Sequence, residues 1–186
     1  MSRTPATTIL LISGSTRLGS TNTALVSTTA ALGPGRTRVY SGLAGLPAFN
    51  PDDDRDPLPA PVAELRAALG RSCGLLFCTP EYAGALPGSL KNLLDWTVGG
   101  AEMPGMPVGW INASSVAAPT GGSGAHAELS TVLGYVGAHV VGDACRRVPL
   151  ARDQIGPDGL IGVPAVHAEI LAALQALRNA GRSLVG

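Results

Sequence analysis

Two segments about sixty residues apart hold the side chains best suited to bind a ligand. The first, residues 14–22, reads G-S-T-R-L-G-S-T-N, and the second, residues 80–96, reads P-E-Y-A-G-A-L-P-G-S-L-K-N-L-L-D-W. Each follows a short apolar run and leads into a helical pattern, which is where open parallel sheets place their ligand-binding loops. The two segments together predict one site at the carboxyl edge of such a sheet.

The first segment is suited to hold an anion. A loop that leaves a strand and enters a helix points backbone N–H groups at a helix N-terminus, which carries about +0.5 of a charge. Hydroxyl, amide and guanidinium donors add to these groups: Ser15, Arg17, Ser20, Thr21 and Asn22. The segment lacks the dinucleotide pattern G-x-G-x-x-G and the P-loop ending G-K-[ST], so a monophosphate fits best. An ordinary turn followed by a capped helix is the alternative.

The second segment combines a stiff turn with an aromatic ring. Pro80, Glu81, Tyr82 and Ala83 follow an apolar run directly, and Tyr82 could lie against a planar ligand while backbone amides meet its polar edge. The apolar residues further along are predicted to be core or subunit interface: Leu90, Leu93, Leu94 and Trp96. Glu81 and Lys91 are interpreted as a structural ion pair or as surface charges, and neither as catalytic.

Alternating elements must position these segments. The patterns predict strands at 7–12, 37–40, 74–79, 107–113 and 139–141, and helices at 22–32, 61–69, 86–98, 125–136 and 163–180. Such alternation is typical of a doubly wound parallel sheet in the α/β class. Residues 45–59 are rich in proline and aspartate, which predicts a mobile loop with a solvated acidic run.

Composition and charge limit the possible functions. With 186 residues, 45% hydrophobic and 14% charged, the chain suits one domain, residues 1–186. Thirteen basic and thirteen acidic side chains cancel, so no global field favours nucleic acid or a membrane surface. No signal-peptide or membrane-spanning pattern is seen, which predicts a cytoplasmic protein. Three cysteines and three scattered histidines predict free thiols and no metal site.

The two segments resemble the NAD(P)H-dependent FMN reductases, which include bacterial quinone and chromate reductases and azoreductase-type relatives. The resemblance lies in G-S-x-R-x-x-S-x-N at 14–22 and P-E-Y-x-x-x-x-P-G-x-L-K-N-x-x-D-W at 80–96. It implies a flavodoxin-like fold: a five-stranded parallel sheet of order 2-1-3-4-5 with helices on both faces. It also implies a homodimer or homotetramer, with the apolar residues around Leu93 and Trp96 and the loop at 103–106 as candidate contacts; scattered apolar residues in a monomer are the alternative.

The resemblance implies roles for three loops. The first loop would hold the FMN phosphate through Ser15, Arg17, Ser20 and Asn22. The second would line the isoalloxazine, largely through the backbone of Pro80, Glu81, Tyr82 and Ala83. A glycine-rich loop at 118–124 is similar to the third flavin-edge loop of the family, with Ala118, Thr120, Gly121 and Gly122 as its contacts; a plain connector is the alternative.

Two positions depart from the family pattern. Asn commonly follows the Tyr of the second segment, whereas this chain has Ala83, and an arginine often follows the third loop, where His126 is the nearest polar residue. Both departures bear on substrate preference and nicotinamide affinity, and neither touches the phosphate loop.

The resemblance implies an enzyme that uses FMN as cofactor and NAD(P)H as electron donor. Hydride would pass from NAD(P)H to the flavin, and a small-molecule acceptor would then take the nicotinamide's place: a quinone, a flavin, an azo compound or an oxyanion. Two other functions are considered. A flavodoxin-type electron carrier usually presents an acidic face, which this neutral chain lacks, and a non-catalytic flavin-binding regulator would turn over slowly with every donor.

Overall fold

Five parallel strands form the centre of the protein. The computed structural model describes residues 7–114 and 120–183. The strands are β1 (Ile9–Ser13), β2 (Thr37–Tyr40), β3 (Gly74–Cys78), β4 (Pro107–Ser114) and β5 (His139–Pro149), in the order β2-β1-β3-β4-β5. Every pair of neighbours is parallel. The predicted fold class and strand order are therefore confirmed.

Helices cover both faces of this sheet. They are α1 (Thr21–Leu32), α2 (Ala60–Gly70), α3 (Gly88–Asp95), α4 (Ser123–Tyr135) and α5 (Pro164–Ser183). Apolar residues of α2, α3 and α4 form one core with the sheet, and those of α1 and α5 form another on the opposite face. Strands β1 and β3 lie between these cores, which is why they read as continuous apolar runs.

Strand β5 is much longer than the sequence predicts. It extends from His139 to Pro149, eleven residues, whereas the apolar pattern predicts only 139–141. Polar residues such as Asp143 and Arg146 interrupt the pattern, and they are tolerated because β5 is an edge strand with much of its length exposed. Its register with β4 shifts between Val108 and Trp110, an irregularity that a periodicity of two does not anticipate.

The segment at 45–59 is docked onto the end of α3, at a place where the sequence predicts a mobile loop. A short 3-10 helix, Leu43–Gly45, leads into the segment, and a second, Pro51–Asp53, lies within it. Asn92 of α3 donates to the carbonyl of Pro47 at 2.8 Å and accepts from the N–H of Phe49 at 2.8 Å. The indole of Trp96 also donates to Pro47, at 2.9 Å. Two residues of the second segment thus tie this loop to the core.

One member of the acidic run is largely shielded from solvent, which contradicts the sequence interpretation of a solvated run. Asp54 pairs with Arg66 of α2 at 2.6 Å, and the two side chains are only 9% and 12% exposed. Arg66 also donates to the carbonyl of Trp96, through Nε at 3.1 Å and Nη2 at 2.9 Å. The pair therefore joins the loop, α2 and the end of α3.

The core prediction for the second segment is correct. Leu90, Leu93, Leu94 and Trp96 are fully buried in this chain's own core, as is Met103. Leu93, Trp96 and Met103 are therefore not available to a partner subunit, contrary to their proposed role as contacts. The three cysteines are free. No helix within 7–114 or 120–183 is long and apolar enough to cross a bilayer.

Candidate functional site

The strand order brings the three predicted loops to the same edge of the sheet. The N–H of Gly14, just past β1, donates to the carbonyl of Cys78 at the end of β3 at 2.8 Å. Asn112 of β4 donates through Nδ2 to the carbonyl of Thr79 at 2.6 Å. The first and second segments therefore lie side by side, and the third loop follows β4 next to them.

Three backbone donors of the first loop have no hydrogen-bond partner in the described part of the protein. Among the described residues, no hydrogen bond engages the N–H groups of Gly19, Ser20 or Thr21, as expected where a helix begins. The side chain of Ser20 caps α1 by accepting from the N–H of Asn22 at 3.2 Å. Ser15 accepts from the N–H of Arg17 at 3.3 Å. Both hydroxyls keep their own proton for an added acceptor.

The tip of the first loop faces solvent. Leu18 is 97% exposed, and Arg17 is exposed as well. Within the described part of the chain, the guanidinium of Arg17 makes no ion pair and no hydrogen bond. Unengaged amides, two hydroxyl donors and one free cation form a donor set that fits a phosphate group.

Asn22 has a structural role that the motif does not reveal. It is 2% exposed, and its Oδ1 accepts from the N–H of Ala113 in β4 at 3.3 Å. Only its Nδ2 group is left to meet a phosphate. Thr21, the first residue of α1, is half-buried.

Gly14 is needed because the first two loops are closely packed. A Cβ atom at this position would lie 2.6 Å from Oγ1 of Thr79, whose side chain is fully buried. Glycine therefore lets the first loop lie directly on the end of β3.

The second loop ends in a tight turn. Tyr82 and Ala85 exchange both backbone hydrogen bonds at 3.0 Å, with Ala83 and Gly84 between them. Both central residues have positive φ, 51° and 77°, which is the pattern of a type I′ turn. Pro80 is half-buried and Tyr82 is 50% exposed, so the tyrosine ring is accessible on the site edge.

Ala83 is conformationally strained by its positive φ. This strain explains why the family commonly has asparagine at this position. Type I′ turns favour Asn-Gly because Asn tolerates positive φ, whereas alanine does not. We predict that Ala83→Asn raises the free energy of unfolding by about 0.5–1 kcal/mol, measured by urea denaturation of the FMN-free protein. Ala85→Asn, at the end of the same turn, is the control and should give no gain. Tighter FMN binding without a gain in stability would contradict this explanation.

The carboxylate of Glu81 does not point to a ligand; it bonds the third loop. It accepts hydrogen bonds from the hydroxyl of Thr120 and, at 3.0 Å, from the N–H of Ala125. The hydrogen bond from the Thr120 hydroxyl, and to a smaller extent that from Ala125, lowers the pKa of Glu81. Neither the predicted pair with Lys91 nor a free surface charge is found, since Lys91 pairs with Asp95 at 2.7 Å. Only the backbone of Glu81 is left to line a ligand.

The third loop turns sharply at two of its glycines. Gly121 and Gly122 have φ of 56° and 84°, and a Cβ on Gly122 would lie 2.5 Å from Oδ1 of Asn112. The Thr120 hydroxyl donates to Glu81. Only the backbone of Thr120 is therefore left for the predicted contact with a ligand. Ala118 lies outside the described residues.

His126 is uncharged at neutral pH. Burial first, and then the charge of Arg147, lower its pKa to about 4. Its ring packs edge-on against Trp110, with the centroids 5.6 Å apart. Where the family often has an arginine, this chain has a neutral imidazole, and Arg147 on β5 is the nearby cation.

Two residues of the site were missed by sequence reasoning. Asn112 joins β4 to the end of β3 and is 1% exposed. A single polar residue near the end of an apolar strand is the signal that could have revealed it. Glu128 of α4 accepts from the N–H of Leu86 at 2.6 Å, and nothing in the helical pattern distinguishes it from a surface glutamate.

Comparisons with known proteins agree with this geometry. The family model for NADPH-dependent FMN reductase matches residues 7–152. An NAD(P)H-dependent FMN reductase of Pseudomonas aeruginosa is 30% identical over 181 residues, covering 96% of this chain and 97% of that protein. A quinone reductase of Escherichia coli is 30% identical over 138 residues, 72% of each chain.

A solved structure extends the match to three dimensions. FerB, a flavoenzyme NAD(P)H:(acceptor) oxidoreductase from Paracoccus denitrificans, superposes with a TM-score of 0.82 at 25% identity, covering 95% of this chain and 98% of that one. The sheet order, the adjacent loops and these matches lead to one conclusion. The chain belongs to the NADPH-dependent FMN reductase family and is an FMN-dependent NAD(P)H oxidoreductase.

Proposed function

We propose that the protein reduces small-molecule acceptors, quinones first among them, with FMN held across the three loops. The observation that carries this proposal is the donor set of the first loop: the unengaged N–H groups at the start of α1 with the hydroxyls of Ser15 and Ser20. These donors would bind the phosphate of FMN. The Tyr82 turn and the third loop, on the same edge, would receive the isoalloxazine.

The protein's own contribution is binding and orientation. The chemistry that FMN supplies when bound is hydride transfer between NAD(P)H and an acceptor. Gly14 brings the phosphate loop against β3, and Asn22 and Asn112 join the strand ends beneath the site. A neutral His126 adds no charge near the third loop at neutral pH.

An accessible site edge supports the choice of a small planar acceptor. Tyr82 is half-exposed, and the turn that carries it protrudes into solvent at Ala83 and Gly84. A quinone can stack in such a place without a partner protein. The relative in Escherichia coli that bears the name quinone reductase also supports a quinone as the acceptor.

The test is to load purified protein with FMN and add NADPH without oxygen. We expect the flavin absorption to bleach, and a quinone to restore it in the absence of any partner reductase. A protein that binds FMN but needs a partner reductase would instead be an electron carrier. Failure to take up FMN at all would overturn the proposal.

Arg17 is expected to strengthen phosphate binding modestly. Because its guanidinium is exposed, Arg17→Ala should weaken FMN binding by about 1.5 kcal/mol, roughly tenfold in Kd. Flavin fluorescence titration measures this change. Arg55→Ala, which removes an exposed arginine from the 45–59 segment, is the control and should leave Kd unchanged. An unchanged Kd in Arg17→Ala would show that Arg17 does not contact the phosphate.

A single domain, a location in the cytoplasm and a homodimer or homotetramer stay predictions from the sequence. Sedimentation of the FMN-loaded protein would decide the assembly.

A further inference from the structure

Helix α4 begins without a cap of its own. Its N-cap residue, Gly122, has no side chain to accept from the first-turn N–H groups. The carboxylate of Glu81 takes this place from the neighbouring loop, accepting from Ala125 at 3.0 Å. A negative charge at a helix N-terminus is also favoured by the helix dipole.

A second carboxylate makes the reverse connection. Glu128 lies on α4, about one turn beyond Ala125, and accepts from the N–H of Leu86 at 2.6 Å. Leu86 directly follows the Tyr82–Ala85 turn. A carboxylate of the second loop therefore accepts from the backbone of α4, and a carboxylate of α4 accepts from the backbone of the second loop. The two bonds lie on either side of the turn.

Backbone packing leaves little space between the two elements. A Cβ on Gly124 would overlap the carbonyl of Gly84 and lie 3.0 Å from Oε2 of Glu81. The Tyr82 turn thus lies directly against the first turn of α4. A shift of either element requires the carboxylate bonds to break.

We propose that Glu81 and Glu128 form a reciprocal clamp that holds the second and third loops in the arrangement FMN requires, with Glu81 as a positioning residue. This inference rests on the proposed function, because the clamp matters for FMN only if both loops contact it. Because both bonds join protein groups alone, the clamp would pre-organise the site and reduce the ordering cost of binding.

The charge of Glu81 suits this role. Its hydrogen bonds to Thr120 and Ala125 lower its pKa, so it stays ionised well below neutral pH. His126, the other titratable group that acts on it, is held neutral by burial. Glu128 lies on the same helix and bonds in the opposite direction. The clamp should therefore be intact over the neutral pH range.

The experiment compares Glu81→Ala, Glu81→Gln and Thr120→Val with a matched control, Glu64→Gln, an exposed glutamate on α2. Amide hydrogen exchange is measured in the FMN-free proteins, and FMN affinity by fluorescence titration. Glu81→Ala should speed exchange at Ala125 about tenfold and weaken FMN binding about tenfold. Glu81→Gln keeps one acceptor oxygen for the N–H of Ala125 and replaces the other with an NH2 group that can donate to the Thr120 hydroxyl, so its effects should be about threefold. For Thr120→Val, both the exchange rate at Ala125 and the Kd for FMN should lie between the values of Glu64→Gln and Glu81→Ala.

The two measurements separate the possible failures. Faster exchange with unchanged FMN affinity would mean that the clamp is only structural, which overturns the positioning role. Unchanged exchange in Glu81→Ala would overturn the clamp itself. If the wild-type protein binds no FMN, the proposed function fails, while exchange in the FMN-free protein still decides whether the clamp exists.

Discussion

Arg66→Met should destabilise the protein by about 2–4 kcal/mol, a large share of the roughly 5–15 kcal/mol that stabilises a typical domain. The substitution leaves the carboxylate of Asp54 buried without its partner, since the two side chains are 9% and 12% exposed. It also removes both donors to the carbonyl of Trp96. Urea denaturation of the FMN-free protein measures the loss.

A double-mutant cycle tests the cause. Replacing both partners removes the unpaired charge, so Asp54→Asn combined with Arg66→Met should cost about 1–3 kcal/mol less than the sum of the single changes. Arg71→Met, an exposed arginine at the end of the same helix, is the control and should stay within about 0.5 kcal/mol of wild type. Additive effects in the cycle would show that the ion pair is not the source of the loss.

Gly124→Ala is expected to have the largest effect on FMN binding, about 100-fold in Kd. A Cβ here would overlap the carbonyl of Gly84, and because the obstacle is backbone, no side-chain rotation relieves it. The Tyr82 turn and the third loop must therefore move apart. We also expect about 1–3 kcal/mol of destabilisation from the overpacking. Fluorescence titration and urea denaturation measure the two effects.

Gly134 provides a matched control on the same helix. Nothing lies within 4 Å of a Cβ built at this position, so Gly134→Ala should stabilise the protein by about 0.5–1 kcal/mol through helix propensity and leave FMN binding unchanged. The two glycine substitutions thus have opposite expected signs. Equal effects from both would contradict the close packing at Gly124.

The fold could be predicted from the sequence because its central strands are apolar on both faces. β1 and β3 read as unbroken apolar runs, and each ends at a recognisable segment. The adjacency of these segments then follows from the order of a doubly wound sheet. Edge strand β5 could not be predicted in full, since an exposed strand tolerates polar residues.

The contacts of individual side chains were predicted less well than the adjacency of the loops. Ser15, Arg17 and Ser20 lie in the first loop with donor groups left free, but Asn22 is engaged by β4 and Glu81 by α4. Both contacts join residues distant in sequence, so the local spacing of residues cannot predict them. The interpretation of Asp54 as solvated fails for the same reason, because its partner Arg66 lies twelve residues further on, on another element.

The docking of residues 47–49 onto α3 changes what the second motif can be used to diagnose. Asn92 and Trp96 serve this docking, and Lys91 pairs along its own helix with Asp95. None of these three contacts involves a cofactor. We therefore expect related proteins that no longer bind flavin to keep the K-N-x-x-D-W portion, because it stabilises the fold. In such proteins, loss of the loop from Gly14 to Asn22 would be the sign that flavin binding has been lost.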